Sequence, residues 1–204
     1  MTTTIRRLSL PLLLSALLSA CSVLPRSEPQ DIYRLPASAV ATSAEQPLAI
    51  SLRIARPSAD DVLRGTRIAV QPRDHRFNVY QGARWSAPAP LLWRDHLVEA
   101  FQNDGRIPLV SSDSEGLQAD IELAGALRAF HTEYRDGKPR AVIRYDALLV
   151  DAASKRILAS RRFSVSEDLS DAQVPAVVEA LGRAGDRLAR ELIDWTVEQI
   201  GQRP

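Results

Sequence analysis

Cys21 is the residue whose chemistry is most clearly indicated, because it is the single cysteine of a 204-residue chain. It follows Leu18, Ser19 and Ala20 at the end of a short apolar segment. Two small residues before a cysteine suit the pocket of a signal peptidase, and a thiol is a nucleophile that can be alkylated by lipid. Cys21 is therefore a candidate for covalent modification, and not for a disulfide, for which there is no second thiol.

The segment before Cys21 resembles the leader of a bacterial lipoprotein, and Leu18–Cys21 resembles its lipobox. Arg6 and Arg7 give a positive start, and Leu8–Leu18 is an apolar run of about eleven residues, shorter than the ~20 needed to cross a bilayer. In such proteins the thiol receives a diacylglycerol, the leader is removed and the new amino terminus is acylated. An ordinary secretory leader with a chance cysteine is the alternative interpretation.

The predicted lipid would be a strong anchor. Each buried methylene contributes about 0.8 kcal/mol, so two or three palmitate-sized chains would hold the protein at a bilayer essentially permanently. Ser22 follows the cysteine, and by analogy with Gram-negative sorting, where Asp here favours the inner membrane, it predicts the periplasmic face of the outer membrane. We expect a signal peptide over 1–20, the lipidated cysteine and a flexible tether over 21–46, and a single domain over 47–204.

The mature chain is close to neutral. The whole sequence has 26 Lys and Arg against 25 Asp and Glu, and loss of Arg6 and Arg7 leaves 24 basic residues and a net charge of −1. This balance argues against a nucleic-acid partner, which needs a clustered basic surface, and against membrane binding mainly by overall charge. Stability must come from a hydrophobic core, for which about 180 residues suffice.

The sequence offers no convergent set of catalytic or metal-binding residues. The three histidines, His75, His96 and His131, lack metal-ligand spacing and a companion cysteine. We expect His96 to pack beside core residues and His131 to be a solvated strand end. The adjacent carboxylates Asp60–Asp61 and Glu167–Asp168 are expected to be helix-capping charge. The chain is therefore predicted to have no enzyme activity, cofactor or metal.

Apolar periodicity predicts two main helices. The first spans Pro88–Asp104 and places Leu92, Trp93, His96, Leu97, Ala100 and Phe101 on one face. The second spans Asp171–Ile200, with Ser170 or Asp171 as its N-cap. Gly182 and Gly185 thin the surface of the second helix, which predicts close packing there.

The other apolar patterns predict strands, and the last three of these form an antiparallel meander. Asp136–Gly137 is its first hairpin turn and Asp151–Lys155 its second. The order of elements predicts an α+β fold, with a mixed, largely antiparallel sheet and two main helices packed on one face. The predicted strands are 48–54, 67–70, 77–80, 107–110, 121–127, 140–150 and 157–165.

The aromatic segment before the first helix has two possible roles. Tyr80, Arg84, Trp85 and Trp93 lie near several prolines, and such large side chains are costly to leave exposed. They either staple a strand to the helix or form a protein interface, since Trp, Tyr and Arg are the usual anchors of interfaces. The structural role is favoured, and both roles are compatible in a homo-oligomer.

These residues, taken in order, resemble the ABC-type transport auxiliary lipoprotein family, which includes the lipoprotein of the paraquat-inducible Pqi system. The resemblance extends from Tyr33 to the last helix. Its moderately specific part is Tyr80 with Arg84-Trp85 before a leucine-rich helix. Weaker support comes from Tyr33-Arg34-Leu35, Arg56-Pro57 and Leu63-x-Gly65-x-Arg67-Ile68-Ala69-Val70.

The resemblance implies a periplasmic accessory subunit of a transport system that moves lipids or other hydrophobic molecules between membranes. Its implied partners are an MCE-domain protein and the permease and ATPase of an ABC transporter. The implied role is a docking adaptor, and the implied fold resembles the amino-terminal domain of TolB. Two other hypotheses stay open from the residues: a lipid carrier with its own apolar cavity, and an envelope hydrolase.

Overall fold

The computed structural model describes residues 29–202, so Cys21 and the leader lie outside the described residues. Within that range the chain forms eight strands and three α-helices. The strands are β1 (Asp31–Tyr33), β2 (Ser51–Ile54), β3 (Arg67–Arg73), β4 (Arg76–Trp85), β5 (Leu109–Ser112), β6 (Ile121–Arg135), β7 (Lys138–Asp151) and β8 (Ile157–Asp168). The helices are α1 (Asp61–Arg64), α2 (Ala89–Asp104) and α3 (Val174–Gly201).

The long strand β6 organises the sheet. One edge of β6 pairs in parallel with β2 near its beginning and with β3 near its end, where Val70 lies opposite Thr132. The other edge pairs with β7, and β7 pairs with β8, both antiparallel. Strand β5 extends the sheet beyond β2, and β4 and then β1 extend it beyond β3. The predicted α+β class and the meander are confirmed.

Two hairpin tips lie side by side at one end of this sheet, because β3 and β6 run in parallel to their ends. The first tip joins β3 to β4, and the second joins β6 to β7. Asp136 and Gly137 both have positive φ, 52° and 76°, which suits a two-residue turn between twisted strands. The hairpin predicted at these two residues is confirmed.

Gly125 in β6 is required where strands approach closely. Its φ is 154°, and a Cβ there would lie 2.1 Å from the backbone oxygen of Asp146 and 2.9 Å from the hydroxyl of Tyr145. The space instead lets the buried Tyr145 hydroxyl donate to the carbonyl of Ala124 at 2.9 Å. The hydroxyl of Tyr145, which is buried in the core, thereby has a hydrogen-bond partner.

Both long helices cover the same face of the sheet. Helix α3 packs on β7 and β8, while α2 packs beside it, near β2 and β5. Strand β7 alternates, so that Ile143, Tyr145 and Leu149 face the helices and are at most 1% exposed. The layer between sheet and helices is therefore filled by side chains, which include Trp93, Leu181 and Leu188, each 0% exposed.

Several element bounds differ from prediction for physical reasons. Strand β4 continues through the proline-flanked aromatic segment to Trp85, because β1 pairs with Ala83–Trp85 and supplies a partner. Helix α3 begins at Val174 with Gln173 as its cap residue, so the caps predicted at Ser170 and Asp171 are wrong. Helix α2 ends as expected, with Gly105 in a left-handed conformation.

The expected tether over 21–46 is wrong for its second part. Asp31–Tyr33 is a sheet strand, and residues 34–46, which we name the strap, run across α2 and α3. Val40 in the strap is only 6% exposed, and the Ser43 amide donates to the carbonyl of Asp104 at 2.9 Å. The folded body thus begins near residue 31 and not near residue 47.

Candidate functional site

The predicted lipidation residue, Cys21, lies outside the described residues, so its modification stays a prediction. What the structure describes is the place where the chain that follows it joins the body. That junction consists of β1, the strap and the sides of α2, α3 and β4 that they contact. It is the natural candidate site in a protein whose predicted chemistry is attachment.

Ser38 is the centre of the strap's polar contacts. Its hydroxyl donates to Asp186 Oδ1 at 3.0 Å, and its amide donates to Glu99 Oε2 at 2.9 Å. Its carbonyl accepts from the side-chain amide of Asn103 at 3.1 Å. One strap residue therefore bonds to both long helices, and hydrogen bonds to charged carboxylates are the stronger kind.

The two helix glycines singled out from the sequence make room at this junction. A Cβ on Gly182 would lie 2.7 Å from Cγ of Pro36, and one on Gly185 would lie 2.9 Å from Nε2 of His96. Both distances are shorter than the contacts that Cβ atoms make with neighbouring atoms in proteins. The predicted close packing at Gly182 and Gly185 is confirmed, with the strap and α2 as the partners.

His96 is the buried titratable group beneath the strap. It is 4% exposed and stacks on Trp93 with ring centroids 5.9 Å apart. Its Nε2 lies 3.3 Å from Asp186 Oδ1 without hydrogen-bond geometry. Burial lowers the pKa of His96, and the nearby carboxylates of Asp186 and Glu99 only partly oppose it. His96 is thus a packed histidine, as the sequence predicts, and its burial favours the neutral form.

Trp85 and Trp93 belong to the core, so the interface interpretation is wrong for both. Trp85 is 1% exposed and packs on Phe130 with ring centroids 5.8 Å apart. Trp93 is 0% exposed and meets Tyr145 edge to face at 6.0 Å. Their full burial leaves no surface for a partner, and the alternative structural role describes them.

Tyr80 and Arg84 keep partly exposed positions in β4. The Tyr80 hydroxyl is buried near Thr132, and burial raises its pKa. Arg84 lies opposite Ile32 of β1 in register, and both Tyr80 and Arg84 line an open cleft of about 320 Å³ with Gln30. Their role as interface residues stays a prediction, and the structure separates them from the two buried tryptophans.

His131 is not the solvated strand end that the sequence predicts. It is 2% exposed and meets the ring of Phe77 edge to face at 5.0 Å. Burial lowers its pKa to about 4. Phe77 lies in β4, so the contact depends on the pairing of distant strands and leaves no local sequence signal.

The two carboxylate pairs have different roles. Asp60 caps α1 by accepting from the Leu63 amide at 3.2 Å, which confirms its predicted role. Glu167 and Asp168 instead end β8, and Glu167 lies 2.8 Å from Arg187 in α3. The capping interpretation is wrong for this second pair.

The described part of the chain also has a wide groove of about 990 Å³ beside α1 and β4. Val62, Phe77 and Val79 give it apolar walls, and Asp61 and Arg67 are charged groups beside them. The groove opens to solvent and lies apart from the layer between sheet and helices. Among residues 29–202, no helix is long and apolar enough to cross a membrane, and no three His, Cys, Asp or Glu side chains group to hold a metal ion.

Comparison with known proteins assigns most of this chain to one family. The model of the ABC-type transport auxiliary lipoprotein component family matches residues 33–193. That range begins in β1 and ends within α3, so it includes the strap as well as the sheet. The suspected family resemblance is confirmed.

Individual relatives agree with that match. Protein XCC0632 from Xanthomonas campestris has a crystal structure with 32% identity and a TM-score of 0.77, over 84% of this chain and 97% of that one. Another crystal structure, of an uncharacterized protein, has 19% identity and a TM-score of 0.65, over 83% of this chain and 99% of that one, and supports the fold alone.

A longer relative is the uncharacterized protein bll6063 of Bradyrhizobium diazoefficiens. It is 33% identical over 156 residues, which are 76% of this chain and 41% of the relative. The chain therefore spans about two fifths of the length of that relative.

Proposed function

Because the chain belongs to the ABC-type transport auxiliary lipoprotein component family, we propose that it is a docking adaptor in a system that transports lipids or other hydrophobic compounds between membranes. Lipid on Cys21 anchors it to the periplasmic face of the outer membrane. Its partners are an MCE-domain protein and the permease and ATPase of an ABC transporter. The family is a transport auxiliary type and not an enzyme family, which supports a role without covalent chemistry.

The filled layer between helices and sheet is the observation that favours an adaptor over a carrier. A carrier of acyl chains needs an apolar cavity that buries most of its ligand. In this structure Trp93, Leu181 and Leu188 occupy the layer with no exposed area. The wide groove beside α1 is open and has charged groups in its lining, so it offers an acyl chain little protection from water.

The docked strap supports the adaptor role as well. An adaptor must hold its partner at a defined distance from its membrane anchor, and a long flexible tether would leave that distance variable. Only residues 22–28 separate Cys21 from the described body, and β1 and the strap then hold the chain by sheet pairing and by the contacts of Ser38. The body is thereby kept close to its lipid.

Co-purification of the full-length lipoprotein from its own cells tests the adaptor role. We expect a tagged wild-type chain, extracted in mild detergent, to bring an MCE-domain protein, a permease and an ATPase, each identified by mass spectrometry. Cys21→Ala should leave the membrane fraction and lose these partners, because the anchor is gone. A wild-type protein that is monomeric and carries a bound lipid in native mass spectrometry, without such partners, would support the carrier instead.

A further inference from the structure

The end of the body formed by the two hairpin tips has a small excess of positive charge. Four basic side chains at the tips are exposed and make no ion pair with any residue in 29–202: Arg73, Arg76, Arg135 and Lys138. Arg140 and Arg144 stand just behind them and share Glu133, at 2.7 and 2.8 Å. The acidic residues of this end are Asp74, Glu133, Asp136, Glu167 and Asp168; with Arg187, which pairs with Glu167, the seven basic side chains exceed these five by two.

The same end presents aromatic side chains and a polar cleft. Phe77 and Tyr134, each next to a tip arginine, are 38% and 39% exposed. Between the tips lies a cleft of about 360 Å³ that is lined by Arg73, Arg135, Arg140 and Arg144, among others. Exposed aromatic and basic side chains together are the composition typical of a surface that lies at the headgroup level of a bilayer.

At the opposite end of the sheet two arginines, Arg53 and Arg106, are neutralised by carboxylates, while Arg156 is exposed without an ion pair among the described residues. Arg106 contacts Asp104 at 2.8 Å, Asp194 at 2.6 Å and Glu45 at 3.5 Å. Arg53 pairs with Glu122 in the same region. What distinguishes the tips is that four unpaired basic side chains lie together there, in a chain whose overall charge is near zero.

The course of the chain brings the predicted anchor to the tip end. Strand β1 is parallel to β4, which begins at the tips, so the chain before Asp31 comes from the direction of the tips. Asp31 lies opposite Ala83, seven residues from the start of β4, so the tips lie about 23 Å beyond Asp31 at ~3.3 Å per residue. The eight steps from Cys21 to Pro29 can span at most about 28 Å, which is enough to bring a lipid on Cys21 level with the tips.

From this geometry we infer that the hairpin tips form a second membrane contact, which binds anionic phospholipid headgroups and sets the orientation of the body on the bilayer. This inference rests on the lipid anchor of the proposed function. The occupant is a lipid surface, because the anchor is short, arrives from this side and positions basic and aromatic groups beside the headgroups. Each basic side chain near an anionic surface increases the population of the bound orientation about fivefold.

Thiol labelling of the lipidated protein tests the orientation directly, because Cys21 is the single native cysteine and is itself blocked by lipid. A fluorophore is placed at the tips with Asn78→Cys, or at the opposite turn with Ala153→Cys, both exposed positions. The protein is reconstituted in vesicles of phosphatidylethanolamine and phosphatidylglycerol that contain a headgroup quencher. We expect strong quenching at the tips and weak quenching at position 153.

Charge variants test the recognition of headgroups. Arg135→Gln with Lys138→Gln should reduce, by roughly 30-fold, the ratio of molecules whose tips contact the bilayer to molecules in other orientations. Phosphatidylcholine vesicles or high salt should reduce the same ratio. The matched pair Lys155→Gln with Arg156→Gln at the opposite turn should change nothing. Equal thermal melting of all variants verifies that the fold is intact.

The failures of the two proposals can be told apart. A protein that stays on the vesicles with both labels equally quenched, or with tip quenching that ignores lipid charge, overturns the headgroup contact alone. A wild-type protein that does not stay on the vesicles lacks the lipid anchor, and then both proposals are wrong. Quenching at position 153 instead of the tips also overturns the inference.

Discussion

The layer beneath the helices and the hairpin-tip end use opposite physical strategies. Beneath the helices, Trp93, Tyr145 and Leu188 are fully buried, and the Tyr145 hydroxyl donates to the carbonyl of Ala124. At the tips, Arg73 and Lys138 are exposed and have no ion partner among the described residues. The first region is stabilised by the burial of apolar side chains, whereas the second leaves charged side chains in solvent without ion partners.

The largest expected effect is in the buried layer. Trp93→Ala should lower the free energy of unfolding by about 3–5 kcal/mol, because it removes contacts with Tyr145 and His96 and leaves a cavity. The melting temperature should fall by roughly 10 °C. The control Tyr134→Ala, at an exposed aromatic of the tips, should cost about 1 kcal/mol or less. Similar losses for the two variants would contradict the contrast between the regions.

The pH dependence of stability tests His131, which lies on the side of the sheet away from the helices, behind the tips. Its pKa in the folded protein is about 4, below the ~6.5 of an unfolded histidine. The unfolded chain therefore binds more protons between these values, so stability is fully present above pH 6.5 and is lost as the pH falls. We expect a loss of roughly 2 kcal/mol from pH 7 to pH 5.

His131→Leu should remove most of that pH dependence while it keeps the contact with Phe77. Chemical denaturation at pH 7 and pH 5 measures both proteins. The lowered pKa of His96 acts in the same direction and accounts for the part that remains. If the variant loses as much stability between pH 7 and pH 5 as the wild type, other groups are responsible for the pH dependence.

Gly182 tests whether the strap is a separate, weaker unit of the buried region. A larger side chain here collides with Pro36, so Gly182→Leu should lift the strap while the sheet and helices stay folded. Amide hydrogen exchange at Ser43 should increase about tenfold or more, because opening the strap breaks its bond to Asp104. Gly201→Leu, at a helix glycine with open space around it, is the matched control. If Ser43 stays protected, the strap is not held by this contact.

The smallest effect on stability is expected at the tips. Arg135→Gln with Lys138→Gln should change the free energy of unfolding by no more than about 0.5 kcal/mol, since neither side chain has an ion partner among the described residues. Denaturant melts measure it. A clear destabilisation would mean that the tip charges serve the fold, and would weaken the case that they serve a membrane contact.

Local patterns were enough to predict much of the fold. The period of Trp93, His96, Leu97 and Ala100 predicted α2, and the Asp136–Gly137 pair predicted the hairpin, because each signal lies within a few residues. The early part of the chain was assigned to a tether because its Pro- and Ser-rich composition is typical of linkers. Its partners, Glu99, Asp186 and the edge of β4, are 50 or more residues away.

The sequence by itself determined the family, the α+β class and the buried faces of the helices, since these depend on residue type and spacing along one segment. Only the tertiary structure decided that His131 is buried, that the strap docks on both long helices and that four basic side chains share one end. Those outcomes depend on which strands pair and in which direction they run. The parallel pairing of β3 with β6 unites two hairpin tips that are some sixty residues apart in the chain.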